Sequence, residues 1–298
     1  MVGAPRCGTT WLYQNLRDHP AVFLSRYKDV GLFCPDVIYR VRDVHAVGRD
    51  AEAFDRLFAD APQGATVGSS CTEDLYSGVA ASRIQAMNPK ARIIVQLRDP
   101  VEAMYSMWSL RTSLGNEHRT FAEALADEDA EIVPPDQTVR DLHWYLRLYR
   151  YGEQLPRFLD RFEPENIHVM IFEDMVRDPA AAYRGVLDFI GVEPSPLARA
   201  TAANPNAVVR NRTAARLVFA SSTVAAAKRI VPRRFHDRAR RVAEDVNERL
   251  RRPTTRPPMD AELRATLVER SRPDVRQAGD LIGRDLETLW FGPGRRQR

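Results

Sequence analysis

The fold is decided near the first residues of the chain, where residues 3–10 read GAPRCGTT. Its two glycines, Gly3 and Gly8, are separated by four residues, and the apolar residues that follow have helical spacing over Thr9–Asp18. A glycine-rich turn lets backbone N–H groups converge on an anion, and the helix behind it presents the positive end of its dipole. The segment therefore predicts a phosphate-binding loop between a short first strand and a helix.

This loop lacks the lysine that nucleotide hydrolases place directly after the second glycine. That lysine holds the β- and γ-phosphates, and such enzymes usually bind Mg²⁺ as well. Here Thr9 occupies the position, and the nearby cation is Arg6. The pattern argues against ATP hydrolysis and favours another phosphorylated nucleotide. The alternative is an ordinary strand-to-helix turn without a ligand.

A second polar segment follows the strongest predicted strand, Ala91–Leu97. Arg98 ends this strand, and Ser106 lies eight residues later in a predicted helix that has Pro100 in its first turn. A guanidinium can bind a phosphate through two parallel hydrogen bonds, and a serine hydroxyl can contact a third oxygen. The alternative is a helix that is simply capped by Asp99.

Strands and helices alternate along most of the chain, which predicts an α/β fold of three layers with a central parallel sheet and right-handed crossovers. A helical C-terminal part follows, and residues 1–298 are predicted to form one domain with an α/β core over 1–192. The other predicted strands are Ala65–Val67 and Ile167–Phe172. The other predicted helices are Ala51–Ala61, Gly78–Met87, Asp141–Phe162 with a bend at Pro156, Pro179–Ile190, a basic stretch over 213–252 and two within Asp260–Trp290. Residues 194–212 are a predicted loop, and residues 30–50, 111–140 and 194–235 are predicted to hold the substrate-facing side chains.

Composition excludes several classes of protein. Of 298 residues, 44% are hydrophobic and 28% charged, which is ordinary for a globular chain and unlike a disordered or collagen-like one. No run of about 18 apolar residues predicts a membrane span, and the first residues lack a signal-peptide pattern. Three cysteines form no disulfide framework, so we expect a cytoplasmic protein with reduced thiols.

Positive charge is concentrated in residues 199–256, which hold fifteen Lys or Arg and four Asp or Glu. Such a block suits an anionic ligand or an anionic membrane surface. Neither zinc-finger spacing nor an RNA-binding aromatic signature accompanies it, so nucleic acid is not an expected partner. Residues 212–256 could line a cleft, make peripheral contact with anionic lipid, or form a solvated helical surface.

Residues 3–12 resemble the 5′-phosphosulfate loop of sulfotransferases that use 3′-phosphoadenylyl sulfate (PAPS). That loop usually reads Pro-Lys-Ser-Gly-Thr-Thr, and here Arg6 stands in place of the lysine and Cys7 in place of the serine. Arg98 and Ser106 have the separation of the pair that holds the 3′-phosphate in this family. Weaker similarities, to the bacterial and glycan-type branch, cover residues 27–33, 68–76, 172–174 and 204–212.

The resemblance implies a fold like that of P-loop NTPases and transfer of a sulfuryl group from PAPS by in-line displacement. The acceptor is expected to be a hydroxyl or amine of a small molecule, glycan or lipid, with no metal required. Residues 193–298 would supply a loop that closes over the cofactor and the helical C-terminal part. The implied cofactor-binding residues are Arg6, Cys7, Gly8, Thr9, Thr10, Arg98, Ser106, Arg210 and Arg212.

For catalysis, the resemblance implies Asp29 as the base that takes the acceptor proton, because it occupies the position of a carboxylate in that branch. Arg6 and Lys28 are the implied catalytic cations. A surface ion pair between Lys28 and Asp29 is the alternative, and Glu73 and His143 are further candidate bases. Two other functions remain open at this point, a P-loop kinase of a small molecule and a non-catalytic nucleotide-binding relative.

Met1 and Val2 alone precede the loop, whereas a parallel strand usually needs about five residues. We therefore expect that extending the chain before Met1 would make the fold more stable.

Overall fold

The structure is a computed structural model. It describes residues 1–25, 28–37, 51–114, 116–132, 144–199, 207–209, 251–253 and 257–293. The chain divides into two compact units. The first comprises residues 1–107, 121–203 and 258–298, and the second comprises residues 108–120 and 204–257. The single domain predicted from the sequence stays a prediction.

The first unit contains two pairs of parallel strands. Strand β1 (Val22–Leu24) pairs with β2 (Thr66–Gly68), and β3 (Ile93–Leu97) pairs with β4 (Ile167–Ile171). All five residues of β3 are buried, as its continuous apolar sequence predicts for a strand covered on both faces. The predicted α/β class with parallel strands is confirmed.

The residues before the phosphate-binding loop extend along β3. The Val2 N–H donates to the Ile94 carbonyl at 3.0 Å, and Gly3 forms a parallel bridge with Val95. This places the loop at the carboxyl end of the parallel strands, which is where ligands bind in open α/β sheets.

Helix α1 (Thr9–Arg17) begins directly after the loop, as predicted. Its apolar side chains Trp11, Leu12 and Leu16 are buried against the strands and against a later helix. Because this face is anchored in the core, the first turn of the helix is held at the loop.

Along the chain, helix α2 (Ala51–Asp55) precedes β2 and helix α3 (Ala80–Met87) follows it. Helix α4 (Pro100–Leu114) follows β3. The Asp99 carboxylate caps α4, because it accepts hydrogen bonds from the Val101 and Glu102 N–H groups at 3.0 and 3.2 Å. The capping interpretation of Asp99 is therefore confirmed.

The helix predicted over Ala51–Ala61 is shorter in the structure. It ends at Asp55, and a 3₁₀ turn at Arg56–Phe58 follows. Residues 111–140, for which the sequence predicts no element, contain the end of α4 and all of helix α5 (Phe121–Asp129). Phe121 and Leu125 of α5 are buried one turn apart, and this short apolar spacing was the missed signal. Residues 22–24 form β1, a strand too short to give a periodic pattern.

The prediction of one long helix over Asp141–Phe162 is wrong. A 3₁₀ turn at Arg147–Tyr149 is followed by two short helices, α6 (Tyr151–Gln154) and α7 (Pro156–Leu159). Pro156 has no N–H to continue α6, so it starts α7 instead. The Glu128 carboxylate accepts hydrogen bonds from the N–H groups of residues 146 and 147, which satisfies these donors without a preceding helical turn.

A 3₁₀ turn at Pro164–Asn166 precedes β4, and helices α8 (Phe172–Arg177) and α9 (Pro179–Ile190) follow this strand. Helix α9 has the bounds that the sequence predicts. The Asp178 carboxylate caps its start, and Gly191 ends it at a φ of 68°.

The two helices predicted near the C-terminus are present as α10 (Ala261–Ile282) and α11 (Leu286–Phe291). Helix α10 packs closely on α6, because a Cβ atom at Gly152 would lie 2.6 Å from the Asp274 carbonyl. In the part of the chain that the structure describes, no helix is long and apolar enough to cross a membrane.

The second unit contains an antiparallel pair, β5 (Ala207–Val209) and β6 (Arg251–Pro253). Two predictions are corrected here: β5 lies within the predicted loop over 194–212, and residues 251 and 252 are extended rather than helical. The remainder of the basic stretch, residues 212–250, lies outside the described residues.

Candidate active site

The loop at residues 3–10 has the backbone conformation of a tight anion-binding turn. Gly8 precedes α1 at a φ of 89°, in the left-handed region that favours glycine, and Arg6 has a φ of 63°. A Cβ atom at Gly8 would lie 2.9 Å from the terminal methyl of Met175 and 3.2 Å from the Phe172 ring. The backbone angle therefore favours glycine at this position, and a larger residue would also have to displace the ends of these two side chains.

Donors are available where the loop meets the helix. Among the described residues, the backbone N–H groups of Cys7, Gly8 and Thr9 have no hydrogen-bond acceptor. They lie at the positive end of the α1 dipole. This arrangement can bind a phosphate or sulfate group through the backbone.

The two predicted phosphate-binding segments meet in the structure. The Arg6 Nε donates to the Ser106 Oγ at 2.9 Å, across 100 residues of sequence. The Arg98 Nη1 donates to the Arg6 carbonyl at 3.2 Å. The structure thus brings three of the predicted cofactor-binding side chains into one cluster, which we call the arginine–serine cluster (Arg6, Arg98 and Ser106).

Arg98 is held in place from two sides. Its guanidinium carbon lies 4.4 Å from the centre of the Phe172 ring, and its Nη2 lies 4.0 Å from the Glu102 carboxylate. Stacking on an aromatic face orients a guanidinium plane without using all of its N–H donors. Arg98 is therefore oriented for planar recognition of an anion beside the loop.

Lys28 connects the loop to the predicted catalytic base. Its Nζ donates to the Thr9 Oγ1 at 3.1 Å and lies 3.7 Å from the Asp29 Oδ2. The Asp29 Oδ1 accepts hydrogen bonds from the N–H and the hydroxyl of Thr72, at 3.1 and 3.3 Å. The Lys28–Asp29 pair expected as the alternative from the sequence is therefore present, and it also contacts the loop and Thr72.

Glu73 and Asp74 lie next to this pair and are almost fully buried. Burial raises the pKa of each carboxyl to about 7, and the charge of Asp29 adds to the effect at Glu73. Glu73 thus lies close to Asp29, the residue that the resemblance implies as the base. The third candidate base, His143, lies outside the described residues.

Cys7 contributes its backbone to the loop while its side chain points into the core. The thiol is fully buried, lies 3.5 Å from the Tyr151 hydroxyl, and donates to the Pro5 carbonyl at 3.4 Å. Burial raises the pKa of this thiol to about 12. Replacement of the family's usual serine by cysteine therefore leaves the anion-binding face of the loop unchanged.

Sequence reasoning missed the residues that hold the loop and the start of α4 in place through hydrogen bonds. The Gln96 amide donates to the Cys7 carbonyl at 3.3 Å. The Glu173 carboxylate accepts from the Asp99 N–H at 3.3 Å and from the Trp290 indole N–H at 2.8 Å. A polar residue inside an otherwise apolar strand was the available signal for Gln96, whereas nothing in the local sequence marks Trp290.

The start of the loop that is predicted to close over the cofactor is held by hydrogen bonds to α1. The Arg199 carbonyl accepts from the Trp11 indole N–H at 2.7 Å, and the Arg199 N–H donates to the Asn15 side chain at 2.9 Å. Residues 194–199 are therefore tied to α1. The predicted cofactor ligands Arg210 and Arg212 lie outside the described residues.

Comparisons with known proteins agree with this class of structure, an α/β protein with a P-loop-like fold. The crystal structure of a sulfotransferase from Alicyclobacillus acidocaldarius has a TM-score of 0.71 at 24% identity, over 97% of this chain and 96% of that one. Residues 51–196 match the model of the sulfotransferase family. This match agrees with the motifs, and the resemblance to sulfotransferases stated from them is confirmed.

Curated relatives carry more specific names. Carbohydrate sulfotransferase 15 of Homo sapiens is 25% identical, over 65% of this chain and 43% of its own length. Heparan sulfate glucosamine 3-O-sulfotransferase 3A1 of Mus musculus is 24% identical, over 65% of this chain and 45% of its own length. This chain thus spans less than half the length of these relatives.

Proposed function

We propose that this chain transfers a sulfuryl group from PAPS to a hydroxyl or amine acceptor. The observation that carries the proposal is the hydrogen bond between Arg6 and Ser106. It joins a loop suited to one phosphate-like group with a helix flank suited to a second one. A donor with a 5′-phosphosulfate and a 3′-phosphate needs two such anion sites side by side.

In this proposal the arginine–serine cluster and the loop bind different groups of PAPS. The backbone N–H groups of residues 7–9 bind the 5′-phosphosulfate, while Arg98 and the Ser106 hydroxyl bind the 3′-phosphate. Arg6 lies between the two groups and interacts with both. The predicted Arg210 and Arg212 would add contacts from the closing loop.

Catalysis in this proposal rests on positioning and charge. Sulfuryl transfer resembles phosphoryl transfer, in which a loose in-line transition state places negative charge on the equatorial and bridging oxygens. Loop N–H groups, Arg6 and Lys28 are preorganised donors toward that charge. Lys28 is suited to the bridging oxygen because its Nζ already contacts the Thr9 hydroxyl of the loop.

Asp29 is the proposed general base. Its Oδ1 is held by Thr72, and its Oδ2 lies on the side of Lys28. The side chain remains 36% exposed, so an acceptor can reach it. The base would remove the acceptor proton while Lys28 neutralises charge on the departing bisphosphate.

A carbohydrate hydroxyl is the acceptor that we favour, because both curated relatives are named for carbohydrate or heparan sulfate substrates. Small-molecule and lipid acceptors are the other classes, and the basic residues 212–256 would supply peripheral contact with an anionic membrane. We also propose a cytoplasmic location and a bacterial-type enzyme, on the motifs given above.

The proposal is tested with PAPS that carries radiolabelled sulfur. The chain is incubated with labelled donor, without acceptor and with panels of carbohydrates, phenols, amines and lipids. We expect label transfer to at least one acceptor, together with release of 3′-phosphoadenosine 5′-phosphate, and loss of both in Arg6→Ala. Tight binding of that bisphosphate with no release of label, even to water, would favour a non-catalytic relative.

A further inference from the structure

Two buried thiols and a buried carboxylate converge beside the Asp29 segment. Cys34, Cys71 and Asp74 are at most 5% exposed, and one potential ligand atom from each lies within 4.8 Å of the others. The two sulfurs are 3.7 Å apart. We call this group the thiol–carboxylate cluster. It comes from two separate segments, residues 28–37 and 69–77, so no local spacing in the sequence reveals it.

The distances within the cluster fit a tetrahedral zinc site. With Zn–S bonds of about 2.3 Å, two cysteine ligands of one zinc ion are about 3.8 Å apart, and a sulfur and an oxygen ligand are about 3.5 Å apart. The observed sulfur–sulfur distance is 3.7 Å, and the potential ligand atoms of the three residues all lie within 4.8 Å of one another. Three protein ligands and one water molecule would complete a tetrahedral site.

An independent observation points to a missing partner in the cluster. Asp74 is 3% exposed, and among the described residues its Oδ1 has no hydrogen-bond partner. A buried polar atom without a partner costs about 1–3 kcal/mol, and more where the group is charged. The thiols of Cys34 and Cys71 and the Met1 ammonium act on the Asp74 carboxylate but, within the described part of the chain, leave its Oδ1 without a hydrogen bond, and a bound cation would remove this cost.

We propose that Cys34, Cys71 and Asp74 bind one zinc ion, with water as the fourth ligand, and that the ion stabilises the fold. Two thiolates and one carboxylate are donor types that zinc prefers in proteins, and they neutralise the charge of the buried ion. The site would tie the two segments together. Thr72, which holds the Asp29 carboxylate, lies between two of the ligands, so the metal would also fix the position of Asp29.

This proposal is independent of sulfuryl transfer and is tested first by metal content. Protein without an affinity tag is treated with a chelator, dialysed and titrated with Zn²⁺ and with Co²⁺. We expect one equivalent of zinc, and for cobalt the visible bands of a tetrahedral ion with a thiolate-to-cobalt charge-transfer band. Added zinc should raise the Tm of the chelator-treated protein.

Variants locate the site. Cys34→Ser and Asp74→Asn should each weaken zinc binding at least about tenfold, since even the loss of an outer-shell partner costs 10–100-fold in metal affinity. Cys7→Ser is the matched control, because Cys7 is also a buried cysteine but lies outside the cluster. It should retain one equivalent of zinc.

Two results would overturn the proposal. One is the absence of stoichiometric binding by the folded wild-type chain, which does not depend on how well the variants fold. The other is equal zinc binding by wild type, Cys34→Ser and Asp74→Asn. A chain that binds no metal but forms a Cys34–Cys71 disulfide with a thiol-specific oxidant would identify a redox pair instead.

Discussion

Asp29 is the residue that the proposed chemistry depends on most. In Asp29→Asn the amide keeps the size of the side chain and its oxygen can still accept from Thr72, but it cannot take a proton. We expect kcat to fall by about 10²–10⁴-fold, while the Kd for 3′-phosphoadenosine 5′-phosphate stays within about twofold. Single-turnover kinetics and calorimetry measure the two quantities separately.

Rescue by Asp29→Glu provides the control for this change. The glutamate restores a carboxylate with a longer reach, so part of the activity should return. An Asp29→Asn variant with unchanged kcat would contradict the assignment and move the role of base to Glu73.

The partly buried ring of His168 on β4 contributes to the pH dependence of stability. The ring stacks on Phe189 with 5.2 Å between centres, and burial lowers the pKa of His168 below its usual value near 6.5. The folded state thus disfavours the charged ring, so stability is unaffected above the ordinary pKa and is lost as the pH falls below it. In His168→Gln we expect a smaller loss of Tm between pH 7.5 and pH 5.5 than in the wild type.

Thermal unfolding of both proteins across this pH range measures the effect. His118→Gln is the control, because His118 is exposed and should leave the pH dependence of the wild type unchanged. Parallel Tm curves for wild type and His168→Gln would contradict the assigned cause.

At the scale of elements, the segment before the loop lies beside a groove. A groove of about 570 Å³ lies beside Met1 and Val2 and is lined by residues of β1, β2 and β3, with Phe54, Phe58 and Ile190 around it. The lining is mostly apolar, so the groove could accept apolar side chains of residues added before Met1.

We predict that about five β-branched or apolar residues added before Met1 will raise the Tm. Burying each large apolar side chain contributes roughly 1.5–3 kcal/mol, so two inward-facing side chains should shift the Tm by several degrees. Calorimetry of the extended chain measures this. An extension of the same length made of Gly and Ser is the control, and equal Tm values for the two extensions would contradict the prediction.

The elements that carry strong local patterns could be predicted, and those that depend on distant partners could not. Helix α9 has an acidic cap, a starting proline and a terminal glycine, so its bounds follow from sequence alone. The segment over 144–162 is rich in helix-forming residues, yet the distant Glu128 carboxylate binds its N–H groups and the expected long helix does not form. The same division holds at the site. Arg98 and Ser106 follow from a motif, whereas Glu173 and Gln96 contribute through contacts that only the fold creates.

Within the first compact unit, residues from the two ends of the sequence support each other. The Trp290 indole of α11 donates to Glu173, which binds the Asp99 N–H directly after Arg98. The Trp290 ring also lies 6.0 Å from the Tyr151 ring, whose hydroxyl contacts the Cys7 thiol. The C-terminal helices are therefore part of the support of both phosphate-binding segments.

Trp290→Phe tests this coupling. The phenyl ring keeps most of the packing but loses the hydrogen bond to a carboxylate, so we expect the free energy of unfolding to fall by about 1.5–3 kcal/mol. Because Glu173 also holds the start of α4, affinity for the bisphosphate should fall as well. Denaturant titration and calorimetry measure the two effects. A variant with lower stability but unchanged bisphosphate affinity would show that the C-terminal helices support the fold without supporting the site.

The central claim is that residues 3–10 and 98–106 form one site for a nucleotide with 5′- and 3′-anionic groups. Calorimetric titration with 3′-phosphoadenosine 5′-phosphate, beside ATP with Mg²⁺, tests it most directly. We predict micromolar binding of the bisphosphate, little binding of ATP, and a loss of about 2 kcal/mol or more in Arg98→Ala, roughly 30-fold in Kd. The exposed control Arg56→Ala should bind as the wild type does. Absence of bisphosphate binding would contradict the account, and binding of ATP with Mg²⁺ in its place would point to a kinase.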